Sequence, residues 1–336
     1  NAGDVDAYNT AVGYKAGLSV TTGIDNTIVG GLAGDAITTG NFNSVFGKSA
    51  GSGITTGIEN VLVGVIAGDA LTDADYNIAM GSNSLTSDTK GSRSTALGAY
   101  TLSTQNFTTA TITYNVAVGY GAGNDITTGT QNSLIGYGAG TALTDADFNT
   151  AVGTNALPAD TLGSKSTAIG TQALGSQNFT TATDSFNTAV GYQAGLNVTT
   201  GILNTLVGSG AGDALTDGSA NVAIGTDALT ADTRGSRTIA IGRDALKTQN
   251  FSSTQTNTFN IAIGDKAGEA VTTGIRNVLV GGLAGDALTD SDQNVAVGYG
   301  ALTSDTLGKN SVAVGNNALE NQNLTTATDT FNVAVG

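Results

Sequence analysis

The segment Asn115-Val116-Ala117-Val118-Gly119-Tyr120-Gly121-Ala122-Gly123 returns, little changed, as Asn187-Thr188-Ala189-Val190-Gly191-Tyr192-Gln193-Ala194-Gly195. Glycine in every segment, with β-branched residues beside it, rules out an amphipathic helix. Short strands broken by turns fit instead. Aligning each aliphatic-Gly step on Gly119 gives nineteen anchor glycines, from Gly13 and Gly30 to Gly315 and Gly336. Most lie 17 residues apart, but the steps ending at Gly119, Gly191, Gly264 and Gly336 are 21 or 22. From Gly47 the long step recurs every 72 or 73 residues, so a short repeat is nested in a super-repeat of four coils.

Each column of this alignment has a physical reading. Four residues before the anchor stands Asn in fifteen of nineteen cases, with Ser94, Ser166, Thr238 and Ser311 the departures. Asn tolerates left-handed backbone and its amide can bond along a stack, so the column reads as an Asn ladder at a turn. The residue before the anchor is always apolar, and three after it stands Ala in sixteen of eighteen coils. Seventeen residues with two short strands and two turns make one coil of a β-solenoid, pairing with the next coil at ~4.8 Å. The expected fold is all-β: a parallel β-roll, or β-solenoid, of about 19 coils of 17 residues, every fourth one 21–22, continuous over residues 1–336 as one repeat region. The first residue is not Met and the last five stop inside the motif, which reads as a segment of a longer chain.

Composition narrows the chemistry. The 336 residues contain no Cys, His or Trp and a single Pro, against 49 Gly. Without His or Cys there is no imidazole base, no Ser-His-Asp or Cys-His nucleophile, and no thiolate or imidazole site for zinc, haem or iron-sulfur. A repeating surface offers no convergent pocket, so the expectation is a protein that is not an enzyme and carries no cofactor. The net charge of −15 repels phosphate backbones and anionic lipid surfaces, which argues against nucleic acid as a partner. No apolar run approaches the ~18 residues of a membrane span. The chain from Asn1 onward shows no basic-then-apolar leader, so membrane insertion is not expected either.

The inward side chains are small, and one coil buries three or four aliphatic groups worth ~1–2 kcal/mol each. Ordering the coil costs more, at ~1 kcal/mol or more per residue. Self-association along the rod would supply the missing burial, which points to a homotrimer or a filament. The two segments quoted first resemble the repeats of YadA-like heads of trimeric autotransporter adhesins, and equally the shaft repeats of bacteriophage tail fibres. That resemblance spans nearly the whole chain and implies a left-handed parallel β-roll assembled as a homotrimer. It also implies an extracellular place, on a virion tail fibre or a cell surface, and leaves phage or bacterial origin open. The expected role is a structural and adhesive fibre segment giving reach and host-surface attachment, with a glycan or protein receptor. A purely structural extracellular filament is the alternative, and a calcium- or ice-binding solenoid a lesser one.

Three features are candidates for function. The long coils carry Gln105-Asn106-Phe107-Thr108-Thr109, Gln177-Asn178-Phe179-Thr180-Thr181, Gln249-Asn250-Phe251-Ser252-Ser253 and Gln322-Asn323-Leu324-Thr325-Thr326. Their aromatic residue either meets a glycan from a protruding Thr-rich loop or packs inward, and their N-x-T/S sequons matter only in a glycosylating host. The turns holding Asp73 and Asp75, Asp145 and Asp147, and Asp290 and Asp292 have the D-x-D-x-N opening of a calcium loop but lack its Gly and bidentate Glu. Asp73 and Lys90, like Asp217 and Arg234, are 17 apart and should sit one above the other. Finally, Thr-Thr-Gly at Thr21, Thr38, Thr55, Thr127, Thr199 and Thr272 is too irregular for a continuous Thr plane that would order water.

Overall fold

The computed structural model describes residues 6–336, so the leader reading at residues 1–5 lies outside it. Among the described residues the chain is all-β, with strands of two or three residues and no helix. It forms two compact units, one of Asn1–Lys165 with Phe179–Thr183 and one of Ser166–Asn178 with Asp184–Gly336. Each is a parallel β-solenoid. The first stacks nine three-residue strands, from Thr10–Val12 to Thr150–Val152, and the second ten, from Thr167–Ile169 to Val333–Val335. Partners stand one coil apart: Thr10 faces Thr27 and Thr205 faces Val222, while across long coils Thr95 faces Val116 and Ile239 faces Ile261. The 17-residue sequence period is therefore the pitch of the roll. Long coils add a second short parallel pair, as between Gly91–Ser92 and Thr111–Ile112.

The anchor glycine is explained by a close approach. At Gly119 (φ +126°) an added Cβ would lie 2.5 Å from the carbonyl oxygen of Gly136, the next anchor, and the same clash recurs through both units. No side chain larger than hydrogen lets one coil descend onto the next there. The Asn ladder is present. The backbone N–H and Nδ2 of Asn43 both donate to Oδ1 of Asn26, at 2.9 and 3.1 Å, and Nδ2 also donates to the carbonyl of Gly57 at 2.8 Å. One part of the sequence reading is corrected: the ladder asparagines are not left-handed. The left-handed residue is the one before, such as Phe42 (φ 58°), Tyr76 (φ 58°) or Tyr114 (φ 50°), and the Asn is required for its buried amide.

The core is filled by an exchange of leucines. In two coils of each super-repeat a Gly stands four after the anchor, and a large aliphatic fills the core seven after it. A Cβ on Gly68 would lie 2.8 Å from Leu62 and 2.9 Å from Leu71. In the other two coils Leu takes the Gly position, as at Leu85 and Leu102, and the place of Leu71 goes to Asp88 and Gln105, both fully buried. The second unit repeats this with Leu229 and Asp232, then Leu246 and Gln249.

Gly119→Ala tests the stacking constraint. Its methyl can only be accommodated by parting two coils, so the variant should lose at least ~2 kcal/mol of unfolding free energy. Urea midpoints read the loss, and amide exchange should rise first in the strands Val116–Val118 and Ser133–Ile135.

Candidate functional surfaces

The long coils are held by a buried polar knot that the sequence reading missed. Where Ser94 interrupts the Asn ladder, Gln105 reaches into the gap: its Nε2 donates to Ser94 Oγ at 2.9 Å and to Asp88 Oδ2 at 2.5 Å. Its Oε1 accepts from Asn115 Nδ2 at 2.9 Å, so the ladder resumes through a side chain from another part of the coil. Asp88 Oδ1 accepts the backbone N–H of Gly91 and of Phe107, both at 3.0 Å, and so pins the start of the bulge. In the second unit Asp232, Gln249, Thr238 and Asn260 repeat the knot, and so do Asp305, Gln322, Ser311 and Asn332. Among the described residues no buried side-chain nitrogen or oxygen is left without a partner. Burial pushes the Asp88 and Asp232 carboxyls above the usual carboxylate range, against the pull of these donors. A signal for the knot was present: Asp and Gln stand in a column that is otherwise Val, Ile or Leu.

Of the two readings of the bulge aromatic, the inward one describes the geometry. Phe107 and Phe179 are buried and Phe251 is half-buried, while Thr108, Thr109 and Ala110 stand in solvent. Exposed aromatic rings are found elsewhere, at the left-handed turn five residues before the anchor, as in Phe42, Tyr76, Tyr114 and Phe148.

The acidic turns are used chiefly as caps. Asp75 Oδ1 accepts the N–H of Ile58 at 2.9 Å, Asp147 Oδ1 that of Thr130 at 2.6 Å, and Asp292 Oδ1 that of Ile275 at 2.9 Å. The first carboxylate of each pair lies further out: Asp145 and Asp290 accept from the hydroxyls of Thr128 and Thr273, and Asp73 lies 4.0 Å from Lys90. Asp217 and Arg234 pair at 3.6 Å, and Asp292 and Lys309 at 2.6 Å, one coil apart as the spacing required. Among the described residues no three acidic side chains converge as metal ligands.

The Thr pattern is more regular than the Thr-Thr-Gly count suggests. Thr21, Thr38, Thr55 and Thr72 form one column whose hydroxyls donate to the carbonyls of Thr38, Thr55, Thr72 and Thr89. Those hydroxyl protons are committed to the next coil and do not face solvent as an ordered array.

In each unit the last residue of every three-residue strand, just before the anchor glycine, is apolar and forms an outward column, while the first residue of the strand is Thr or Ser in six of the first unit's nine. Ile135 in the first unit and Ile224 and Ile263 in the second are each more than one-third exposed, above and below half-buried Val and Ile. In comparisons with known proteins, the chain matches no family model and no curated protein.

Raised carboxyls carry a defined pH consequence. A folded-state pKa above the unfolded value stabilises the fold below the unfolded pKa, and that stability is lost as pH rises through the folded value. In Asp88→Asn/Asp232→Asn this component is absent, so the variant's stability relative to the natural chain should improve between about pH 4 and about pH 7. Urea midpoints at the two pH values read it; a relative stability of the variant that stays unchanged or worsens as pH rises counts against the assignment.

Proposed function

We propose that the chain is a structural and adhesive fibre segment, of the kind used in phage tail fibres or bacterial surface adhesins, giving reach and attachment to a host surface from outside the cell. Its partner in the first instance is itself, as a homotrimer. One observation supports this above the others: in each unit the residues just before the anchor glycines, Val and Ile with Phe46, Met80 and Leu97 among them, form an outward apolar column that a soluble monomer would leave in water. Monomers rarely expose contiguous apolar patches beyond a few hundred Å². A second copy laid against that face supplies the burial that a thin roll with an Ala-rich core lacks. The rest of the surface, with its acidic turns and Thr-rich bulges, stays hydrated and available for a receptor. The purely structural filament remains the competing class.

Sedimentation equilibrium on the full chain should give a trimer. Ile135→Lys/Ile224→Lys, which places charges in the apolar column, should weaken association by about tenfold or more. A monomer at micromolar concentration would overturn the oligomer. Fluorescently labelled protein incubated with bacterial and animal cells should be retained on a subset of them. Electron micrographs of endless homopolymers, with no cell retaining the label, would favour the filament.

A further inference from the structure

We propose that the turn column of the first unit is a binding track for an extended, neutral, β-linked polysaccharide, with one aromatic ring per disaccharide. This gives receptor chemistry to the attachment reading and rests on it. Five residues before successive anchors stand Tyr8, Asp25, Phe42, Glu59, Tyr76, Arg93, Tyr114, Gln131 and Phe148, a strict alternation of aromatic and long polar side chains. All are left-handed, with φ between 43° and 66°. That conformation is unfavourable for a bulky residue and comfortable for Gly or Asn. The roll tolerates bulky left-handed residues in the core, as at buried Leu85 and Leu102, so what sets this column apart is that its rings are not used for packing. Phe42 is 50% exposed, Tyr76 42%, Tyr114 51% and Phe148 49%. Large rings left exposed in a regular alternation point to a surface task.

The spacing suggests which task. Coils repeat at ~4.8 Å, so rings on alternate coils lie ~10 Å apart along the unit. This is about the length of one disaccharide in an extended β-1,4-linked chain, whose sugars flip alternately and so present the same face once per disaccharide. The apolar face of a pyranose can stack on each ring, while its rim hydroxyls meet the polar side chain on the intervening coil. Arg93 lies between two of the rings, its guanidinium carbon 5.2 Å from the Tyr76 centroid and 5.9 Å from that of Tyr114. A surface depression bordered by Phe42, Glu59 and Val61 lies on the same track. Polar residues of both signs, on a chain of net charge −15, suit a neutral sugar polymer better than a polyanion. In the second unit the same column reads Phe186, Leu203, Ala220, Arg237, Phe259, Arg276, Gln293, Asn310 and Phe331, without the alternation, and so serves as an internal comparison.

Calorimetric titration of the full chain with cello- and chito-oligosaccharides of two, four and six sugars is the test. Affinity should climb by about tenfold or more from disaccharide to hexasaccharide as further rings engage. Tyr76→Gly/Tyr114→Gly should bind the hexasaccharide about tenfold or more weakly while unfolding at no lower urea concentration, because Gly accepts the left-handed turn. Leu203→Gly should change neither. Binding that ignores chain length, or that survives the double substitution, would overturn the track. So would loss of oligomer mass in the double variant, which would assign the column to a second copy. A chain that is retained on cells yet binds no oligosaccharide would sink the track and leave attachment standing through another receptor.

Discussion

Within each unit the fold depends on one contact: the backbone of an anchor glycine lies against the carbonyl of the next, as Gly119 does against Gly136, at a distance that excludes even a methyl group. Where coils meet that closely, their registers lock, and every column inherits the lock. The Asn amides come into bonding range of one another, the Thr hydroxyls reach the carbonyl one coil on, and strand centres stack Ala on Leu. These interactions are small one at a time. Repetition turns them into a nearest-neighbour system in which each coil is stabilised by the two beside it.

The super-repeat follows from a packing problem inside this frame. A longer coil needs its extra residues anchored without a wider core. Moving Leu from seven to four after the anchor keeps the apolar volume and frees a buried place for a polar side chain, which Asp88 and Gln105 take in adjacent coils. A carboxylate offers acceptors to backbone donors that a bulge would otherwise leave unpaired. Burying that carboxylate is unfavourable, as the raised Asp88 and Asp232 carboxyls record. Three or more donors around each one offset the cost.

The architecture was legible because stacking forces one residue type into each column, and the Gly, Asn and Ala columns declare the coil length directly. What stayed hidden were residues whose meaning depends on which way the chain turns. Ser87-Asp88-Thr89 reads locally as an exposed acidic turn, yet its Asp is among the most deeply buried groups in the first unit. The Asn column suggested left-handed backbone because Asn tolerates it; the strain sits one residue earlier, on Tyr, Phe, Arg and Glu, which no propensity scale would place there. For Phe107 the sequence left two readings open, a loop tip among Thr residues or inward packing, and the structure takes the second: its N–H is held by Asp88 and its ring is buried. In each case the column, compared across coils, carried information that the local string did not.

Core and surface are thereby specified almost independently. A coil accepts any outward residue compatible with its turn, so the outer columns are free to carry charge, rings or aliphatics without cost to the stack. That freedom explains how a chain of net charge −15 can also bear an apolar column. In the self-association proposed above, acidic turns would repel copies that approach in a wrong register, while the apolar column would reward an arrangement that covers it. On that proposal a roll with a small-residue core would have both a reason to associate and a means of restricting how it does so.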